Sequence, residues 1–180
     1  RSCSSAASDV YKRQVWIFAF TGRIDGMEFS NLLTKMTQAI CQERPIDVAA
    51  CFCEDGEYHD VFYGQFVGRK SIINLIENYF YRDAREFRWD LHDPVSTGSI
   101  GYCRYIFSFE SKLEDAAGRR VAFEGIANVK IKNGLIYQYS EVADTFPALQ
   151  RLGFTSDRIG KMASKTASRL ESRHELSGHL

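Results

Sequence analysis

"VAFEGIANVKIKNGLIYQYSEVAD", Val121 to Asp144, is the stretch whose reading decides the fold. Two apolar-rich runs flank Lys132-Asn133-Gly134, and Asn-Gly between such runs is a strong hairpin signal. Just upstream, "GYCRYIFSFES" (Gly101 to Ser111) is dense in aromatic and β-branched residues and reads as another long strand. In "REFRWDLH", Phe87, Trp89 and Leu91 alternate with Arg88, Asp90 and His92, the period-two mark of a strand with two different faces. The polar stretches "DPVSTGS" (Asp93 to Ser99) and "KLEDAAGRR" (Lys112 to Arg120) read as the loops between these strands.

Helical patterns come first in the chain. Phe29, Leu32, Leu33, Met36 and Ile40 form one stripe of an amphipathic helix. Pro45 suits the first turn of a short helix, "PIDVAACF". "CEDGEYHDVF" (Cys53 to Phe62) carries a turn signal and a short strand. After Gly68, "RKSIINLIENYFY" sets Ile72, Ile76, Tyr79 and Phe80 on one helical face. Helices followed by long antiparallel strands make an α+β domain. One strongly curved, mainly antiparallel sheet wrapped on the helices buries the stripes and one strand face. The aromatic run Tyr105, Phe107, Phe109 predicts an apolar second face that needs cover, which a homodimer supplies. The domain spans residues 27–155, followed by a basic amphipathic helix over 156–173 and a frayed tail over 174–180. Residues 1–26 are set aside, because "RSCSSAASDVYKRQ" lacks periodicity and resembles translated adapter read-through at the ends of metagenomic gene fragments.

Composition narrows the class. The 180 residues, 44% hydrophobic, suit one compact core. Twenty-three basic residues balance twenty-three acidic ones, so bulk attraction to nucleic acid is not indicated. No apolar run approaches the roughly 18 residues of a membrane span. The five cysteines form no zinc spacing or even framework and read as buried thiols of a cytoplasmic protein.

Two segments carry a resemblance. "FCEDGEYHDVFYGQFVGRKSIINLIENYF" and the hairpin from Val121 to Asp144 resemble SnoaL-like members of the nuclear transport factor 2-like superfamily. The marks are an acidic turn, a polar strand end, a short aromatic loop, a Gly-Arg helix start and a last strand ending in acids. The resemblance implies a cone with a deep, mostly apolar pocket, a scaffold that hosts many chemistries. In ketosteroid isomerase-like members an acid near the Asp60 position abstracts a proton, and a tyrosine and a protonated acid hold the oxyanion. Here the first helix offers Met36 rather than tyrosine, and the penultimate strand offers Ile126 and Ala127 with Glu124 displaced. Limonene epoxide hydrolase-like members need an Arg-x-Asp pair, whereas this chain has Arg104-Tyr105-Ile106. Epoxide hydrolysis is therefore not favoured. SnoaL-like cyclases and related dehydratases need one acid or histidine and a desolvating pocket, with no metal or organic cofactor.

Asp60, Glu141 and Arg104 are the candidate catalytic residues, and Tyr58, His59, Tyr139 and Ile106 the candidate pocket wall. Each has a plainer reading. Asp60 can simply cap the backbone of the following loop, and of His59 and Asp60 only one faces inward in a regular strand. Arg104 is either an anion clamp or the ion-pair partner of Glu141 or Glu124. If it points outward, Glu141 is desolvated and becomes the better base. Glu141 shares its predicted face with Tyr137 and Tyr139, whose default role is packing. The basic C-terminal helix is most simply a solvated face. The expected partner is a small, mostly apolar molecule bound without a cofactor, acted on by acid–base lyase, isomerase or cyclase chemistry. The alternative is a non-catalytic ligand-binding or dimer-scaffold protein.

Overall fold

The computed structural model describes residues 25–179, so the leader assigned to 1–26 lies almost wholly outside the described residues. Helix α1 (Gly26–Cys41) starts at a capping box: Asp25 accepts from the Glu28 N–H while the Glu28 carboxylate accepts from the Asp25 N–H. Its stripe behaves as the spacing predicts, with Phe29, Leu33, Met36 and Ile40 buried and Leu32 partly so. Helix α2 (Pro45–Ala50) begins on its proline. Helix α3 (Arg69–Leu75) runs on through a π-helical turn, Ile76–Phe80, into a last helical turn, Tyr81–Asp83.

Six strands form one sheet: β1 (Phe52–Asp60), β2 (Gly64–Val67), β3 (Ala84–Ser96), β4 (Ile100–Ser111), β5 (Arg120–Lys132) and β6 (Leu135–Asp144). Their order is β2-β1-β6-β5-β4-β3, antiparallel throughout except that β1 runs parallel to β6. The β5–β6 hairpin turns at Asn133 and Gly134, whose φ of 54° and 76° place both in the left-handed region that this tight turn demands. The α+β architecture holds: helices inside the concave face of a curved sheet, then α4 (Phe146–Arg151) against β5 and a C-terminal helix α5 (Ser156–Glu171). Cys51, Cys53 and Cys103 are buried free thiols.

Four local readings change. β3 does not stop at His92 but continues to Ser96 through a bulge at Asp93-Pro94, where proline owes the ladder no N–H. "EDG" is no turn; it is an irregular stretch inside β1, where the register against β6 slips between Phe52 and Glu57. Tyr137 leaves the face of Tyr139 because a bulge at Lys130/Ile131 makes it the extra residue of β6, and it lies exposed with Lys132 over its ring. Most consequentially, Tyr105 and Phe107 point into the cone and Phe109 packs on the same core, leaving Arg104 and Ile106 outside. The aromatic run thus no longer argues for a covered outer face.

Helix α1 packs along β3 and makes one close approach to β4. Gly101 of β4 lies flat against the Phe29 ring: a Cβ there would sit 2.4–2.8 Å from the ring carbons. Gly101→Ala should therefore lower stability by about 1–3 kcal/mol, the usual cost of overpacking a core, measured as a drop in the denaturant midpoint with an unchanged m-value.

Candidate active site

Between the helices and the concave sheet lies a cavity of about 660 Å³. Its wall is mostly aromatic, including Phe62, Phe80, Phe87, Trp89, Phe107 and Phe123, and its polar floor is built by β1, β4 and β6. Strand parity decides who reaches it. At the end of β1 Tyr58 and Asp60 are buried, so His59 between them is exposed. On β4, Cys103, Tyr105 and Phe107 face in. The parallel register Tyr58↔Tyr139 carries Asp60 alongside Glu141 at the floor.

Of the seven sequence-predicted site residues, the structure brings four together: Tyr58, Asp60, Tyr139 and Glu141. It excludes three. Arg104 lies on the outer face, 44% exposed, with its Nε 3.6 Å from Asp93 and Nη1 4.0 Å from Glu124. Ile106 is 41% exposed on the same face, and His59 is outside by alternation. The reason in each case is the two-residue period: a neighbour of larger apolar area takes the inward position. His92, opposite Arg104 in the β3–β4 register, shares that outer face.

The plainer reading of Asp60 is half right. Its Oδ1 accepts from the N–H groups of Phe62 and Tyr63, both at 2.8 Å, and so holds the β1–β2 turn. Oδ2 has no hydrogen-bond partner among the described residues, and the side chain lines the cavity. Glu141 is held from the other side. Its Oε2 accepts from Tyr105 at 2.6 Å and Tyr139 at 3.2 Å. Tyr105 was missed as a site residue, and Gly125 is what lets it in. The two are partners across β4–β5, and a Cβ at Gly125 would stand 2.6 Å from the Tyr105 hydroxyl. The Tyr58 ring packs on Tyr139 at 4.7 Å, and its buried hydroxyl has no hydrogen-bond partner among the described residues.

Electrostatics follow from burial without a counter-ion. Desolvation, with Asp60 alongside, pushes the Glu141 carboxyl up to about 8, against the lowering effect of its tyrosine donors. Desolvation raises Asp60 to about 6, opposed by the two turn N–H groups. The Tyr58, Tyr105 and Tyr139 phenols are all raised by burial and stay protonated donors. The two carboxyls titrate as a pair, both pushed upward, so that near neutral pH they share a proton, a base beside an acid. At the mouth the picture reverses. Asp83 is clasped by Arg82 and accepts from the Tyr63 hydroxyl at 2.8 Å, which keeps its carboxyl below the usual range. Arg158 and Met162 of α5 also border the cavity, so the C-terminal helix is more than a solvated face. Among the described residues, no three His, Cys, Asp or Glu side chains cluster as metal ligands would.

Because the folded-state carboxyl of Glu141 is raised, the protonated form favours folding. Its contribution is complete below about pH 4.5 and is lost as pH climbs to about 8. Glu141→Gln should flatten the fall in stability between those values, followed by thermal melts across pH. Tyr105→Phe, which deletes a donor to the charged form, should push the Glu141 titration higher still, read by carboxyl-carbon NMR.

No curated protein matches the chain. Among solved structures, a protein of ketosteroid isomerase-like fold from Catenulispora acidiphila, in complex with trimethylamine, superposes with a TM-score of 0.62 at 16% identity, over 70% of this chain and 95% of that one. TsrD from Streptomyces laurentii gives 0.62 at 19% identity, over 73% and 99%. An LEH-like epoxide hydrolase from M. tuberculosis gives 0.59 at 15% identity, over 78% and 98%. At these identities the likeness is one of fold. The SnoaL-like domain model matches residues 33–139, which take in α1 from Leu33 on, the floor strand β1 and β6 as far as Tyr139. The chain belongs to the SnoaL-like domain family.

Proposed function

We propose that the chain binds a small, mostly apolar carbonyl compound in the cone and moves protons on it, as an isomerase, lyase or cyclase. One observation carries this reading: two carboxyls, both raised by desolvation, stand side by side at the floor of an aromatic cavity. Although the outward Arg104 alone would make Glu141 the base, two tyrosines hold Glu141, so in the proposed mechanism the free Oδ2 of Asp60 takes a proton from the carbon next to the carbonyl. The released electron pair moves onto the carbonyl oxygen, which the Glu141 proton meets. Tyr105 and Tyr139 both donate to Oε2, leaving that proton for Oε1. As the enol gives its O–H proton back to Glu141, the proton now on Asp60 goes to another carbon, to the oxygen of a second carbonyl on which the enol carbon closes, or to a hydroxide expelled as water. Proton transfer of this kind needs no metal or organic cofactor. Arginine-centred water activation of the epoxide hydrolase type is not supported, since Arg104 faces away from the cavity.

The rival reading, ligand binding without turnover, is separated by experiment. Once a thermal-shift screen yields a substrate, Asp60→Asn and Glu141→Gln should each lower turnover by roughly 10²-fold or more. Wild-type kcat/KM should form a bell with limbs near pH 6 and pH 8. Full activity in both variants removes these acids from the chemistry.

The outer sheet face is proposed as a homodimer interface. Ile126 and Val142 are partners across β5–β6 and are 52% and 82% exposed, with Ile106 close by on β4. Sedimentation should show a dimer that Val142→Glu splits; a monomeric wild type ends the proposal.

A further inference from the structure

Among the described residues the floor acids have no counter-ion. Asp60 is 4% exposed, and none of the ion pairs among the described residues includes Asp60 or Glu141. The cations that do reach the cavity wall are engaged at its mouth: Arg82 forks onto Asp83, and Arg158 lies over the Phe154 ring at 3.8 Å. A buried carboxylate without a cation is costly, and two backbone N–H groups offset only part of that cost. Above the floor stand aromatic side chains, Trp89, Phe87, Phe107 and Phe123 among them. Aromatic faces attract cations through their quadrupole, most strongly where water is excluded. Floor charge and wall therefore favour the same kind of guest.

We infer that the cavity selects a ligand carrying a positive charge, an amine or quaternary ammonium compound, which supplies the counter-ion that Asp60 lacks. The inference rests on the reading of the cavity as a small-molecule site and deepens it. It also fits the proposed proton transfer. A cationic carbonyl compound that gives its proton to Asp60 leaves a neutral acid and a neutral zwitterionic enolate. A neutral substrate would instead leave an uncompensated negative charge in an apolar chamber. The cation thus favours the charged intermediate as well as the bound state.

The test compares benzyltrimethylammonium with neopentylbenzene, its neutral carbon isostere, by calorimetric titration into the whole chain near neutral pH. The cation should bind at least about 10-fold tighter, a difference of about 1.4 kcal/mol. In Asp60→Asn that preference should shrink to within about threefold while neopentylbenzene binding holds or improves. The asparagine keeps an oxygen for the Phe62 and Tyr63 N–H groups, so the turn survives. Equal or tighter binding of neopentylbenzene by the wild type overturns the inference and leaves the small-molecule reading standing. So does a cation preference that Asp60→Asn leaves unchanged. If neither compound binds, both readings fall.

Discussion

The parallel pairing of β1 with β6 is the constraint on which the rest depends. Every other pair in the sheet is antiparallel and joins strands consecutive in the chain. β1 with β6 joins strands from opposite ends of the domain, Tyr58 to Tyr139. It attaches the β1–β2 hairpin to the sheet, closes the floor of the cone and sets Asp60 beside Glu141. The join is not smooth. The register slips between Phe52 and Glu57, and a Cβ on Gly56 would lie 3.0 Å from the carbonyl oxygens of Cys53 and Ile136. Only a residue without a side chain lets the two strands approach there.

How far this could be read from the chain depended on whether the signal was local. The α1 stripe, the proline start of α2 and the Asn133-Gly134 turn are local patterns, and the structure repeats them. Parity together with the family resemblance points Tyr58, Asp60, Tyr139 and Glu141 inward, where the structure has them. The resemblance puts Arg104 and Ile106 in the pocket, whereas the alternation of Cys103, Tyr105 and Phe107 turns them outward, as in the structure. The bulges that turn Tyr137 outward and carry β3 past Asp93 are properties of a strand pair, so a single strand's sequence does not announce them. The role of Tyr105 depends on a glycine on the neighbouring strand, and the approach of Arg158 to the cavity is purely tertiary.

The cavity places the same chemical group in opposed environments. Asp83 at the mouth has a guanidinium and a phenol on it and is held ionised. Asp60 and Glu141 at the floor have only neutral donors and are pushed toward the protonated form. A carboxyl's behaviour here follows from its depth and its partners and not from its residue type. The fold accepts two strained acids at the floor because their donors, the turn N–H groups and the tyrosines, come from elements that the core holds in place.

The π-helical turn at Ile76–Phe80 has its own consequence for the mouth. Such a turn holds one residue more than regular helix would, so it shifts the angular phase of everything after it relative to everything before. Ile72 and Ile76, ahead of or at its start, are buried in the core, while Phe80 at its end and Arg82 and Asp83 beyond it line the cavity. One residue corresponds to about 100° of rotation about the helix axis. The turn therefore works as a spacer that sets the azimuth of the mouth independently of the core face. A chain one residue shorter here would keep its hydrophobic stripe yet swing Asp83 away from Tyr63 and open the clasp at the entrance.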